Sequence, residues 1–290
     1  MHRAPIGHRV IGRRVADRGI RPARSACGES STRRPQTRYG LHNGGQRLDV
    51  TLTDQDRNTR FAAPYVNAGN DVVLSLVPAG VRRILDVGCG GGDNARELRA
   101  THLGVEIVGL THSDEEVAIA RPHLDAIHVV DLDRGLTDAA LEAWGAPFDL
   151  LLFSHVLEHM IDPLAVLRRC LTRLQPGGYV VIAVPNVLEW RTRAKFLGGS
   201  FVYTEHGILD RTHMRFFTYE TAPDELVAPI AGLTLLERRP RGSVPLGPLR
   251  RVVAARGLWS AIDRAGLRWR PNLFSREAAM LARWDGASAQ

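Results

Sequence analysis

Short apolar runs alternate with amphipathic stretches along most of the chain from residue 82 onward. RRILDV (82–87), VEIVGL (105–110), AIHVVD (126–131), FDLLLFS (148–154) and YVVIAV (179–184) are apolar almost without a break. Runs of that length and continuity predict strands covered on both faces, as in a parallel sheet, and the stretches between them read as helices. Ser113 with Asp114, Glu115 and Glu116 forms a capping-box start, with acids at the positive end of the helix. Asp162-Pro163 opens a further helix with Leu164, Leu167, Leu171 and Leu174 on one face, expected to stop at Gly177-Gly178. LTLLERR (233–239) and REAAMLARW (276–284) read as two last strands. The pattern predicts a doubly wound α/β domain, whose ligands sit beyond the carboxyl ends of the strands.

Charge changes this picture only at the amino terminus. Residues 1–40 hold ten arginines against Asp17 and Glu29, leaving 28 basic and 29 acidic groups in the remaining 250 residues. The net charge of +7 therefore describes a tail and not a groove. Lys195 is the only lysine, a bias that points to GC-rich coding and not to phosphate recognition, and no nucleic-acid partner is expected. The tail could bind polyanions, serve as a targeting peptide, or be disordered sequence ahead of a later start. Its lack of apolar periodicity favours disorder. No run approaches the roughly 18 apolar residues of a spanning helix. Cys27, Cys89 and Cys170 lie far apart with no C-x-x-C spacing, which argues against a zinc site or disulfide framework and suits a reducing cytoplasm.

The chemistry-bearing stretch is RILDVGCGGGDNARELR (83–99). Asp86 closes a strand, and Gly88, Gly90, Gly91 and Gly92 turn the chain into the next helix, where glycine permits positive φ and close approach of a ligand. The turn could simply be tight and bind nothing. A dinucleotide fingerprint would need a third glycine where Asp93 stands, and no Gly-Lys-Ser/Thr follows, so neither pyrophosphate nor a phosphate loop fits. Asp86 instead suits a ligand with a partly cationic tail.

DVGCGGG resembles the first motif of class I S-adenosylmethionine-dependent methyltransferases. The likeness continues through GLTHS (109–113), VDLD (130–133), FDLLLFSHVLEHMIDP (148–163) and LQPGGYVVIAVPN (174–186). It covers roughly residues 60 to 240 and is nearest the ubiquinone- and methionine-biosynthesis-type branch. GILDRTHMRFFT (207–218) is similar to bacterial methyltransferases of glycan and natural-product pathways. The resemblance implies a Rossmann-like, mostly parallel seven-stranded sheet with an antiparallel edge strand, and S-adenosyl-L-methionine as cofactor. Asp86, Gly88 and Gly90 would line its methionine part, Asp131 and Leu132 its adenine, and Ser154 and His155 its sulfonium. The family's ribose-gripping acid at the end of the second strand is Thr111 here, a weaker neutral contact.

Methyl transfer is an in-line displacement that needs a base only when the acceptor carries a proton. His159 is the candidate base, and Glu158 beside it either orients a group or braces the loop. Tyr203, His206, Asp210, His213 and Arg215 follow the fifth strand, where a crossover can fold over the site and read the substrate. Asp210 and Arg215 could equally form a structural ion pair. The spacing of seven between His206 and His213 matches no zinc pair, so no metal is expected. The absence of N/D-P-P-Y disfavours amine acceptors of the nucleobase or glutamine kind and points to an oxygen.

Basic residues, Trp259 and Trp269 at roughly helical spacing make GPLRRVVAARGLWSAIDRAGLRW (247–269) either a substrate lid, a core helix, or a peripheral membrane contact. The expected division is a disordered tail (1–45), a methyltransferase core (46–240), and a helical insert or lid with the final strand (241–290). The leading expectation is a methyltransferase of small molecules, acting on a hydroxyl of a sugar, lipid-linked glycan or natural product. The alternative is a noncatalytic binding protein on a degenerate form of the same fold. Nothing in the sequence sets the oligomeric state.

Overall fold

In a computed structural model of the protein, residues 37–43, 46–52, 69–145, 147–252 and 256–286 are described. The chain divides into two compact units, Met1–Asp54 and Gln55–Gln290. In the first, β1 (Thr37–Asn43) pairs antiparallel with β2 (Gln46–Leu52), in register from Thr37↔Leu52 to Asn43↔Gln46. This hairpin crosses the expected boundary at residue 45. Residues 37–43, read from the sequence as structureless tail, are a strand. The arginines before Thr37 lie outside the described residues.

The second unit holds the sheet. After α1 (Asp71–Ser75) come β3 (Arg83–Val87), α2 (Asp93–Thr101), β4 (Glu106–Thr111), α3 (Asp114–Ala120), β5 (Ala126–Val129), α4 (Asp138–Ala143) and β6 (Phe148–Ser154). Then follow α5 (Pro163–Leu171), β7 (Leu174–Pro185), α6 (Trp190–Leu197), α7 (Ala222–Leu226), β8 (Leu233–Gly242), α8 (Gly247–Val252), α9 (Arg256–Trp269), α10 (Pro271–Phe274) and β9 (Ser275–Trp284). The strand order is β5-β4-β3-β6-β7-β9-β8. Pairs from β5 to β7 are parallel, and β9 runs antiparallel to both β7 and β8. The antiparallel strand thus lies one position in from the edge, with β8 outermost.

Both faces are covered, which explains the unbroken apolar runs. Leu85, Val87, Leu151, Phe153, Val180 and Ile182 belong to one core. Ile84, Leu150, Leu152, Val181 and Ala183, alternating with them along the same strands, belong to the other. Helix starts follow local capping rules. Thr137 and Asp162 accept the backbone N–H of Ala140 and Ala165 at 3.2 and 3.0 Å. The helix opened by Asp162 ends at Leu171, earlier than its leucine spacing suggests. Leu174 already pairs with Phe148 as the first residue of β7, and Gly177-Gly178 lie inside that strand.

Helix α9 packs on β8 and α10. Its Asp263 accepts the Val244 N–H at 2.9 Å and pairs with Arg250, whose guanidinium covers the Trp259 ring. Trp259 is buried while Trp269 is 72 % exposed. Ten positions apart, about 2.8 turns, the two tryptophans stand about 80° from one another around the helix, and only Trp259 is covered. No helix among the described residues is long and apolar enough to cross a membrane.

Candidate active site

The chain leaves β3 toward β4 on one side and reaches β6, its other neighbour, only after β5. The crevice where such a sheet changes direction is where its ligands bind. Asp86 stands there, paired in register with Gly109 of β4 and Leu152 of β6. It is fully buried, and neither carboxylate oxygen has a hydrogen-bond partner among the described residues. Burial alone pushes its carboxyl up to about 7. A buried acid left without a partner is costly, and its charged form is favoured only where a cation approaches it.

The glycine turn follows at once. Gly88 has φ +74°, and a Cβ there would stand 2.7 Å from Val156 Cγ2, so the turn and the loop after β6 touch backbone to side chain. Gly92 (φ +78°) caps α2 and would set a Cβ 3.1 Å from Ala120 Cα.

At the carboxyl end of β4, Thr111 is buried and its hydroxyl donates to the Glu116 carboxylate, which is also buried. Asp131 lies just beyond β5, exposed, with Oδ1 accepting the Asp133 N–H at 2.9 Å. Leu132 beside it packs half-buried against the core.

The end of β6 carries a charged cluster. Ser154 is its last residue, and His155 follows with φ +57°, unusual for a residue with a side chain. His155 Nε2 donates to Glu277 Oε2 at 2.6 Å, and Nδ1 stands 3.3 Å from Glu158 Oε1. Asn70 Nδ2 donates to both Glu277 oxygens at 3.1 Å. Burial would lower the imidazole, but hydrogen bonds and charge from Glu158 and Glu277 outweigh it and hold His155 up to about 10. In return, both carboxylates are held below their usual range despite their own burial. His155 is therefore an imidazolium at neutral pH and not a base.

His159 is better placed for that role. The Thr212 hydroxyl gives its proton to Asp210 Oδ1 at 2.7 Å and lies 2.9 Å from His159 Nδ1. With its single proton committed, Thr212 can only accept from His159, which assigns the proton to Nδ1 and the basic lone pair to Nε2. The His213 ring meets His159 edge to face at 4.8 Å, and its Nδ1 donates to the Ile208 carbonyl at 3.1 Å. Burial holds the His213 imidazole below its usual value. Glu158 ties the two segments together, its carbonyl accepting the N–H groups of Met214 and Arg215 at 2.8 and 3.0 Å.

The crossover residues separate into two groups. His213 joins the cluster. His206 is exposed, and Tyr203 is exposed with its ring edge-on to Phe201 at 5.3 Å. Arg215 donates to the Ile161 carbonyl at 2.7 Å, and Asp210 serves Thr212, so the alternative of an Asp210–Arg215 ion pair is not met. His213 lies against His159 and not His206, and with Glu158 their ligand atoms lie within 4.8 Å of one another, a set able to take a metal ion that the His206–His213 spacing did not address.

A family model described as a methyltransferase domain matches residues 54–221, more than half of the chain. The chain belongs to the methyltransferase domain family. Among curated relatives of this methyltransferase domain, the ubiquinone biosynthesis O-methyltransferase of Cereibacter sphaeroides is 36 % identical over 104 residues, 36 % of this chain and 41 % of that protein. The one of Xanthomonas campestris pv. campestris is 36 % identical over 137 residues, 45 % of this chain and 54 % of that protein. The chain thus matches about half the length, or less, of these relatives. A solved S-adenosylmethionine-dependent methyltransferase from Mesorhizobium loti aligns over 73 % of this chain and 95 % of its own, at 18 % identity and a TM-score of 0.47.

S-adenosylmethionine carries an ammonium and a sulfonium, and the crevice of this methyltransferase domain fits that charge. Asp86, Glu116, Glu158 and Glu277 are buried around it against one imidazolium, His155. Asp86 is the carboxylate with no partner among the described residues, and the residues that would hold the methionine, adenine and sulfonium parts all sit at this edge of the sheet. Asn70 and Glu277 join the cluster without any signal in the sequence. Glu277 reaches it because β9 pairs with β7 in a register that sets it beside Pro185. Glu116, placed by its position in the first turn as a helix-capping acid, accepts the Thr111 hydroxyl instead.

Proposed function

We propose that the protein transfers the methyl group of S-adenosylmethionine to an oxygen of a small molecule. The observation that carries this reading is Asp86, a buried carboxylate without a partner at the switch point of the sheet. When bound, the cofactor supplies an electrophilic methyl group on a sulfonium. Asp86 takes the ammonium, Gly88 and Gly90 let the backbone approach the methionine part, and Asp131 with Leu132 receives the adenine. Ser154 and His155 border the sulfonium. Because Glu158 and Glu277 flank it, the His155 imidazolium does not make the site cationic.

The acceptor hydroxyl would give its proton to His159 Nε2 as its oxygen bonds the methyl carbon and the carbon–sulfur bond breaks, leaving S-adenosylhomocysteine as a neutral thioether. Asp210 and Thr212 hold the His159 ring and its tautomer, so the base is oriented before substrate arrives. The crossover that carries His213 also carries an aromatic shelf. Phe196 stacks on Phe201 at 5.3 Å, and Phe216 links Phe201 to His213 with ring separations of 6.4 and 6.3 Å. Phe201 and Tyr203 remain about half exposed there. Such a shelf supports an acceptor with a ring or apolar body, whether sugar, lipid-linked glycan or natural product. The O-methyltransferase relatives support oxygen over nitrogen as the acceptor atom.

The test is calorimetric titration of S-adenosylmethionine and S-adenosylhomocysteine into the purified protein, with Asp86→Ala as control. One-to-one binding that the substitution abolishes is the expected result. Unchanged affinity in the variant, or none in the wild type, would overturn the pocket. Transfer of labelled methyl to a panel of hydroxylated acceptors then identifies the substrate.

A further inference from the structure

We infer that the exposed face of α9 docks on an anionic lipid bilayer and sets the crevice beside it.

The two faces of this helix differ in kind. Trp259 and Asp263 are turned inward, Trp259 buried and Asp263 held by Arg250 and the Val244 N–H. Gly266 lies with them, where a Cβ would stand 3.3 Å from the Phe274 ring of α10. At about 100° per residue, Leu258, Ala261, Arg264, Ala265, Arg268 and Trp269 fall within another arc of about 140°, and all are exposed. Leu258 is 52 % exposed and Trp269 72 %.

Apolar and basic residues separate within that arc. Arg264 and Arg268, one turn apart, form one margin, and Ala261, Ala265, Leu258 and Trp269 form the strip beside it. Asp263, the only acid in α9, faces inward, so the exposed face carries positive charge alone. Arg264 and Arg268 make no ion pair among the described residues, and with Ala265 and Trp269 they line an open groove of about 520 Å³. Just beyond, the exposed Arg270 holds its guanidinium 5.1 Å from the centre of the Trp269 ring. A tryptophan among arginines at the end of an apolar strip suits the headgroup level of a bilayer, where rings enter hydrocarbon and guanidinium groups meet phosphate. A second copy docked on the same face about a twofold axis would set these arginines against one another. A nucleic acid would use the arginines and leave the apolar strip wet. A bilayer takes both.

The helix also ends where the site begins. Arg270 leads into α10 and β9, and Asn186 at the end of β7 donates to the carbonyls of Asn272 and Ser275 at 2.9 and 2.7 Å. Glu277, the partner of His155, follows Ser275 at the start of β9. Trp269 is therefore joined through one short helix to the carboxyl edge of the parallel strands. Combined with the methyl-transfer reading above, on which this step rests, a bilayer at α9 favours an acceptor of the lipid-linked class, presented from the membrane plane.

The experiment is flotation of the full chain, without cofactor, on vesicles of phosphatidylcholine and on vesicles of equimolar phosphatidylcholine and phosphatidylglycerol. The variants are Trp269→Ser and the pair Arg264→Gln with Arg268→Gln, all at exposed positions, with thermal melting to confirm folding. The wild type should float with the anionic vesicles and not the neutral ones, and less as salt is raised. Each variant should weaken partitioning about tenfold or more. Equal flotation of wild type and both variants would place the contact elsewhere, such as on the arginines before Thr37, and overturn the assignment. So would loss in the arginine pair with Trp269→Ser at the wild-type level, the behaviour of a surface for a soluble polyanion. No flotation of the wild type on anionic vesicles would overturn it outright. Vesicle binding is read without cofactor, so a failure of S-adenosylmethionine to bind would leave these outcomes as they are.

Discussion

His155 Nε2 lies 2.6 Å from Glu277 Oε2, a contact that joins the end of β6 to the last strand across 122 residues of sequence. The imidazolium between Glu158 and Glu277 makes the loop after β6 and strand β9 one electrostatic unit. Because the folded value of His155 is raised, its contribution to stability is complete below the unfolded value near 6.5 and is lost as pH rises toward about 10. The melting temperature should therefore fall between pH 7 and pH 10. Glu277→Gln should flatten that slope and cost about 3 kcal/mol at pH 7, since it leaves a buried partner uncompensated. A slope unchanged in the variant would show that His155 is not the titrating group.

Asp86 has the opposite character, a group whose native environment opposes its charge. Its raised carboxyl means that the folded state keeps a proton the unfolded state has lost, so stability falls as pH rises from about 4 to about 7. Asp86→Asn should raise stability at pH 8 by on the order of 2–4 kcal/mol while abolishing cofactor binding. In the wild type, a bound ammonium favours the ionised acid, so binding near pH 6.5 should release part of a proton. Calorimetry in buffers of different ionisation enthalpy reads that release directly, and none would count against an ammonium at Asp86.

The Asp210–Thr212–His159 chain separates orientation from binding. His159→Ala should lower kcat by roughly 10²-fold or more, with cofactor affinity within about twofold of wild type. Thr212→Val keeps the imidazole but removes the nearer acceptor of its Nδ1 proton, leaving the Thr212 carbonyl at 3.3 Å. It should lower kcat less and displace the pH profile. If Thr212→Val matches wild type in both, the chain is structural.

Gly88 tests the contact between the glycine turn and the loop after β6. Gly88→Ala meets Val156 at 2.7 Å in a backbone region that disfavours side chains, and should cost about 1–3 kcal/mol and weaken cofactor binding. Adding Val156→Ala should relieve the steric part and leave the backbone part. Full recovery in the double variant would mean that φ at this position is unimportant.

What the sequence determined by itself was local or periodic. Continuous apolar runs marked β3, β4, β6 and β7, because burial on both faces leaves little room for a polar residue, and they marked β5 although that edge strand is partly exposed. Asp162-Pro163 marked a helix start, and Asp86 with its glycines marked a strand-to-helix turn, because caps and positive φ are properties of a few consecutive residues. Those signals sufficed for the fold class and for the crevice. They did not suffice for its electrostatics. Glu277 and Asn70 reach His155 only through a sheet register set far along the chain, and His213 meets His159 only because the backbone of the crossover docks on Glu158. Glu116 had two local roles open to it, and a buried threonine at the end of the neighbouring strand decided between them. Hydrogen bonding over long sequence separation is a consequence of packing. That is why the tertiary structure, and no pattern along the chain, brought Asn70 and Glu277 to His155 and His213 to His159.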